Sequence, residues 1–268
     1  MSDELILVER DDDVATLTFN DPEHRNAMTQ AMGEAFADLV AGIAASAPRA
    51  VILTGAGRAF SAGGDLDMIE SRARQGAERP GLARREIRDA MRSFYKLFLS
   101  VRDIPCPTIA ALNGAAVGAG LCVALACDLR VAARDAKLGL NFTRLGLHPG
   151  MAATWTLPRL VGTARAAELL YTGELVTGEE AFEMGMVNRA VSRDEVLPTA
   201  YELARRCALS APEAVRGVKR ALARTLDATL EDQLSFEAHE QAGCFETRDV
   251  HEGLAAIREK RAPAFEDR

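Results

Sequence analysis

Hydrophobic positions in the first half of the chain fall in short blocks whose period alternates between about two and about four. Residues 5–9 and 14–19 are β-type runs separated by Asp11-Asp12-Asp13, a spacing that predicts two strands joined by a hairpin turn. Thr29 stands where it can cap a helix, with Met32, Phe36, Leu39, Val40 and Ile43 on one face. A buried strand is expected over 49–54, ended by Gly55-Ala56-Gly57. Residues 71–85 are polar, dense in Arg, Gly and Glu, and read as irregular. Beyond them the pattern predicts a helix over 88–101, a strand over 108–112, a helix over 118–126 opening from a glycine-rich turn, and a strand over 128–132. Strands alternating with helices argue for an α/β fold with parallel strands and crossover connections.

The second half changes character. Thr177/Glu180, Ser192/Glu195 and Ser210/Glu213 have the spacing of three capping boxes, each expected to open a helix. From about residue 194 to 260 the pattern is almost entirely helical, and Val215, Val218, Leu222 and Leu226 form one apolar stripe. The organisation is therefore a core over 1–193 followed by a helical region over 194–268, with no Pro-, Gly- or Ser-rich linker between them.

Composition narrows the class without naming a function. The 268 residues carry 39 acidic and 32 basic side chains, a formal charge of −7, and only 5% are aromatic. Phosphate contact needs a basic surface and base stacking needs aromatic platforms, so a nucleic-acid partner is not expected. The N-terminus carries acids where a signal peptide needs a basic segment, and the five cysteines lack metal-ligand spacing; a reducing, cytoplasmic setting with no metal is the expectation. The uncharged run over 107–127 is long enough for a membrane span, but Asn113-Gly114 divides it into a strand-like and a helix-like part, so two buried elements are expected instead.

Two turns carry candidate chemistry. Ala59-Phe60-Ser61-Ala62-Gly63-Gly64-Asp65-Leu66 and Asn113-Gly114-Ala115-Ala116-Val117-Gly118-Ala119-Gly120 each follow a strand, and the second opens a helix. Small residues let a ligand approach the backbone, and N–H groups at a helix start favour negative charge. Two such turns, converging, can aim one N–H each at a developing oxyanion; tight turns packed for steric reasons are the alternative. These segments, together with Pro22-Glu23-His24-Arg25-Asn26-Ala27, Pro107-Thr108-Ile109-Ala110-Ala111-Leu112, Cys127-Asp128-Leu129-Arg130, Leu145-Gly146-Leu147-His148-Pro149-Gly150 and the tail from Glu252-Gly253 to Glu259-Lys260-Arg261, resemble the crotonase (enoyl-CoA hydratase/isomerase) superfamily in order and over nearly the whole chain.

The resemblance implies a spiral of ββα units, a C-terminal helical region used in forming a homotrimer or a dimer of trimers, and an acyl-CoA thioester as substrate or ligand, with no separate cofactor. It places the oxyanion donors on the backbone N–H groups of Gly64 and Ala119. It also places Arg25 and Lys260 at the nucleotide phosphates, Ala62 at the adenine, and Ala27, Asp65 and Leu66 beside them along the substrate. The family's hydratases use two glutamates to activate water, and those positions fall here on Cys122 and Phe142. Neither replaces a carboxylate, so hydration by the usual route is not expected and an altered enoyl-CoA hydratase/isomerase-like enzyme is. A non-catalytic acyl-CoA carrier or regulator on the same scaffold is the alternative. His148 is the candidate replacement base. Cys122 is either a thiol of lowered pKa at a helix start or a small buried residue. Glu86, Asp89 and Tyr95 lie in the segment that resembles the family's variable acyl-pocket wall. Dienoyl-CoA isomerases and aryl-CoA dehalogenases place an aspartate where this chain has Gly150. Clp-type proteases share the spiral, but their nucleophile falls near Gly118, where no serine exists.

Overall fold

The computed structural model describes residues 4–46 and 48–266; the first three residues of the acid-bearing N-terminal segment lie outside them. The expected hairpin is β1 (Ile6–Asp11) and β2 (Val14–Phe19), paired antiparallel from Ile6↔Phe19 to Asp11↔Val14 around a left-handed Asp12. Thr29 caps α1 (Gln30–Ser46), its hydroxyl accepting from the Met32 N–H at 3.1 Å.

From there the chain repeats one move. β3 (Ala50–Gly55) and β4 (Ala59–Ser61) are followed by α2 (Leu66–Glu78) and α3 (Leu82–Leu99). β5 (Thr108–Leu112) and β6 (Ala115–Val117) are followed by α4 (Ala119–Ala126). β7 (Leu129–Ala133) and β8 (Lys137–Gly139) are followed by α5 (Ala153–Val161) and α6 (Thr163–Thr172). The first strand of each unit joins a six-stranded sheet in the order β1-β2-β3-β5-β7-β10, and the second joins a four-stranded sheet in the order β4-β6-β8-β9. β9 (Val176–Thr177), α7 (Gly178–Glu183) and β10 (Arg189–Val191) close the spiral. Pairing is parallel except for β1–β2 and β8–β9.

Every residue of β3 and β5 is buried, which is why these strands read as continuous apolar runs. Phe19, Phe36, Phe60 and Phe98 meet in the core with ring centroids 5.6–6.4 Å apart. The uncharged run over 107–127 is divided among β5, β6 and α4, and no helix of the described residues is long and apolar enough to cross a membrane.

The helical region comprises α8 (Val196–Ala208), α9 (Pro212–Arg224), α10 (Leu230–Phe245) and α11 (Arg248–Glu259). Val196, Ala200 and Ala204 of α8 are fully buried with the core. α9 is tied to the sheet through Asp128, whose Oδ2 accepts from the Thr108 N–H and from Lys219 Nζ, each at 2.8 Å.

Three expectations are corrected. Residues 71–85 are not irregular: α2 runs to Glu78, capped by Asp65, and α3 starts at Leu82, six residues before the expected 88. α2 has no buried residue, so no hydrophobic stripe of core type marks it. Ser210 does not open a capping box; α9 begins at Pro212, with Ala211 at the cap and no side-chain cap bond. The other two boxes form, and a third occurs at Thr229/Asp232, where the returning acid is Asp.

Candidate active site

The two glycine-containing turns converge. β4 and β6 pair in parallel, and Gly63, at φ +98°, lies so close to the second turn that a Cβ on it would stand 2.6 Å from the Val117 carbonyl oxygen and 3.5 Å from the Ala119 nitrogen. Gly120 faces Ser61 as closely: a Cβ there would be 2.7 Å from the Ser61 Cβ. Ser61 is fully buried; its hydroxyl donates to the Asn26 carbonyl at 2.7 Å and accepts from the Gly63 N–H at 3.1 Å. Asn26, also fully buried and at φ +55°, donates through Nδ2 to the Ala56 and Ala59 carbonyls at 2.9 Å and accepts the Asp21 N–H at 2.9 Å. Asn26 and Ser61 therefore fix the first turn. Nothing in the sequence pattern marks either residue for this task, although Asn26 lies in the Pro22–Ala27 segment and Ser61 in the first turn itself.

Gly64 and Ala119 both line an apolar cavity of about 370 Å³. Ala119 is the first residue of α4, after Gly118 at φ +53°, so its N–H has no acceptor within the helix. Gly64 bridges Met28 through its neighbours: Met28 donates to the Gly63 carbonyl and Asp65 to the Met28 carbonyl, leaving the Gly64 N–H out of the pairing. Two backbone donors with no acceptor among the described residues, at one cavity, can hold negative charge on a bound oxygen.

Of the other expected site residues, Ala62, Leu66, Phe142 and His148 line the same cavity. Arg25 is exposed at φ +55° and joined to Ala62 by the Ala62 N–H to Arg25 carbonyl bond of 2.9 Å. Ala27 is half-buried beside it, and Asp65 caps α2 by accepting the Met68 N–H at 2.8 Å. Lys260 is the exposed left-handed cap of α11 and is not among the cavity residues. Of the two readings of Cys122, the structure bears out the small buried residue: it is 2% exposed and not among the cavity residues, and burial pushes its thiol far above the ordinary range, against the reading of a lowered pKa.

No carboxylate is among the described residues lining the cavity. Glu86 pairs with Arg79 and Gln75, and Asp89 pairs with Arg88 at 2.8 Å, both on the outside of α3. From that segment Tyr95 alone of the three candidates reaches the cavity. His148 Nδ1 lies 2.8 Å from the Pro149 carbonyl oxygen. A carbonyl only accepts, so Nδ1 carries a proton; in the neutral ring Nε2 is then the nitrogen with the lone pair that a general base requires.

A spiral of ββα units with two N–H-bearing turns at one apolar cavity has the architecture of the crotonase superfamily. The chain belongs to the enoyl-CoA hydratase/isomerase family, which it matches over residues 9–268. It is 34% identical to the crotonyl-CoA hydratase of Syntrophomonas wolfei over 99% of each chain, and 35% identical to the 1,2-epoxyphenylacetyl-CoA isomerase of Escherichia coli over 98% of each. The crystal structure of an enoyl-CoA hydratase from Bacillus anthracis resembles it with a TM-score of 0.89 at 35% identity, covering 99% of this chain and 100% of that one.

Proposed function

We propose that this protein is an acyl-CoA enzyme that forms a thioester enolate, with the oxyanion held by the N–H groups of Gly64 and Ala119 and the proton removed by His148 Nε2. The observation that carries the reading is the pair of acceptor-free N–H groups on one apolar cavity, in a chain of the hydratase/isomerase family. Arg25 and Lys260 bind the nucleotide phosphates, Ala62 the adenine, and Ala27, Asp65 and Leu66 contact the substrate. The chain works as a trimer or a dimer of trimers. Hydration is slow, because the cavity has no carboxylate to orient water.

The test is exchange of α-protons of hexanoyl-CoA in D₂O, followed by mass spectrometry beside crotonyl-CoA hydration. The wild type exchanges α-protons and hydrates poorly, and His148→Ala lowers exchange by about 10²–10⁴. The missing carboxylates also favour a second reading, a binder that holds acyl-CoA without turnover. Tight hexanoyl-CoA binding with neither exchange, hydration nor isomerisation would establish it.

A further inference from the structure

Among the described residues, four polar side chains reach the cavity: Arg72, Tyr95, Asn141 and His148. A guanidinium keeps its proton throughout the accessible pH range and a carboxamide does not ionise, so of these four the phenol and the imidazole are the groups that can transfer a proton to or from a substrate. Tyr95 extends from α3 onto the loop that carries His148. A Cβ added at Gly150 would stand 2.7 Å from Tyr95 Cζ and closer still to Oη. The hydroxyl thus fills the space into which a side chain at 150 would project. Gly150 also accepts from Cys122 Sγ at 3.6 Å, so phenol, glycine and thiol form one cluster, one helical turn beyond Ala119. Tyr95 Oη makes no hydrogen bond among the described residues. Half-burial, followed by the neighbouring thiol, raises its pKa, so the phenol stays protonated and is a donor, not a base.

We propose that Tyr95 is a catalytic proton donor to carbon, making this site an isomerase of unsaturated acyl thioesters and not a hydratase. The proposal rests on the enolate reading above. With a 3-enoyl thioester, His148 Nε2 takes a proton from C2 and the electron pair of that C–H bond passes into the thioester carbonyl, giving a dienolate whose oxygen the two N–H groups hold. Tyr95 Oη–H then delivers its proton to C4 as the pair returns, forming the C2=C3 bond. The imidazolium proton returns to the phenolate through water, so the substrate has moved one double bond and nothing is consumed. Two groups of opposite proton affinity reach the cavity from different elements, so removal and delivery need not share a residue.

The test compares wild type, Tyr95→Phe and His148→Ala with 3-hexenoyl-CoA, read as formation of the conjugated 2-enoyl product, alongside hexanoyl-CoA α-proton exchange and hexanoyl-CoA affinity. Tyr95→Phe is expected to lose about 10²–10⁴ in isomerisation kcat while KM, hexanoyl-CoA affinity and α-proton exchange stay within a few-fold of wild type. His148→Ala loses both exchange and isomerisation. A merely structural tyrosine would alter affinity and exchange together with isomerisation, and that result would overturn the assignment. Isomerisation by Tyr95→Phe at the wild-type rate would overturn it while leaving the enolate reading standing. A wild type that binds hexanoyl-CoA but neither exchanges nor isomerises would overturn both.

Discussion

Gly63 shows how single residues set this site. Its φ of +98° is closed to L side chains, and the Val117 carbonyl oxygen leaves no room for a Cβ. Gly63→Ala is therefore expected to destabilise the fold by about 1–3 kcal/mol for the backbone conformation alone and to remove turnover, since the strain falls beside the Gly64 N–H. Gly42 is the internal control: a Cβ there meets nothing within 4 Å inside α1, so Gly42→Ala is expected to stabilise by about 0.5–1 kcal/mol. Urea midpoints that shift in the same direction for both would refute this account. These glycine turns were legible in the sequence because the constraint is local, a strand followed by small residues. Tyr95 was not singled out there, and the reason is physical. What distinguishes it from Glu86 and Asp89 is a contact with Gly150, 55 positions away, while the two acids are drawn outward by local arginines and by Gln75.

At the scale of elements, legibility followed burial. β3, β5 and α4 are wholly buried and their runs predicted them, whereas α2 covers the cavity with no buried residue and is held by its Asp65 cap and a Glu70–Arg74 pair at 3.1 Å. The start of α9 differs from the Ser210 box the sequence suggests because proline at the first helical position replaces the cap that such a box would supply. Three side chains anchor the segment after α11: Asp249 accepts the Glu266 N–H at 2.9 Å, Arg49 donates to the Phe265 carbonyl, and Glu252 holds the stretch before them. Glu252 binds Arg261 by two contacts, at 2.5 and 2.9 Å, and its Oε1 accepts the Ala264 N–H at 2.7 Å. Arg261, and then the Ala264 N–H, hold its carboxyl down to about 2. A folded value below the unfolded ~4.3 means that the anchoring is complete above the unfolded value and is lost as pH falls through about 2. Backbone order parameters of residues 262–264 are expected to fall on acidification from about pH 4 toward 2, and Glu252→Gln to show the same loosening already at pH 7, while 265 and 266 keep their Arg49 and Asp249 contacts. A tail whose mobility ignores both changes would mean that the carboxylate does not anchor it.

For the whole molecule, the decisive fact is how much apolar surface one chain leaves uncovered. Val218, Leu222, Leu226, Leu230 and Ile257 are each more than half exposed, and the first two lie on α9, which Lys219 ties to Asp128 of the core. The stripe seen in the sequence is thus an exposed apolar face on a chain of net charge −7, the kind of patch by which subunits pack together. In the proposed trimer the partner is a second copy. Analytical ultracentrifugation is expected to find the wild type at three or six times the 28.8 kDa chain, and Leu222→Asp combined with Leu226→Asp at the single-chain mass with unchanged helix content. Every cavity residue lies between Ala62 and Met151 of one chain, so the dispersed variant should retain hexanoyl-CoA α-proton exchange within a few-fold. A dispersed chain that binds hexanoyl-CoA normally yet no longer exchanges would show instead that the neighbouring copy completes the site. A wild type that sediments as a single chain would require another partner for the stripe.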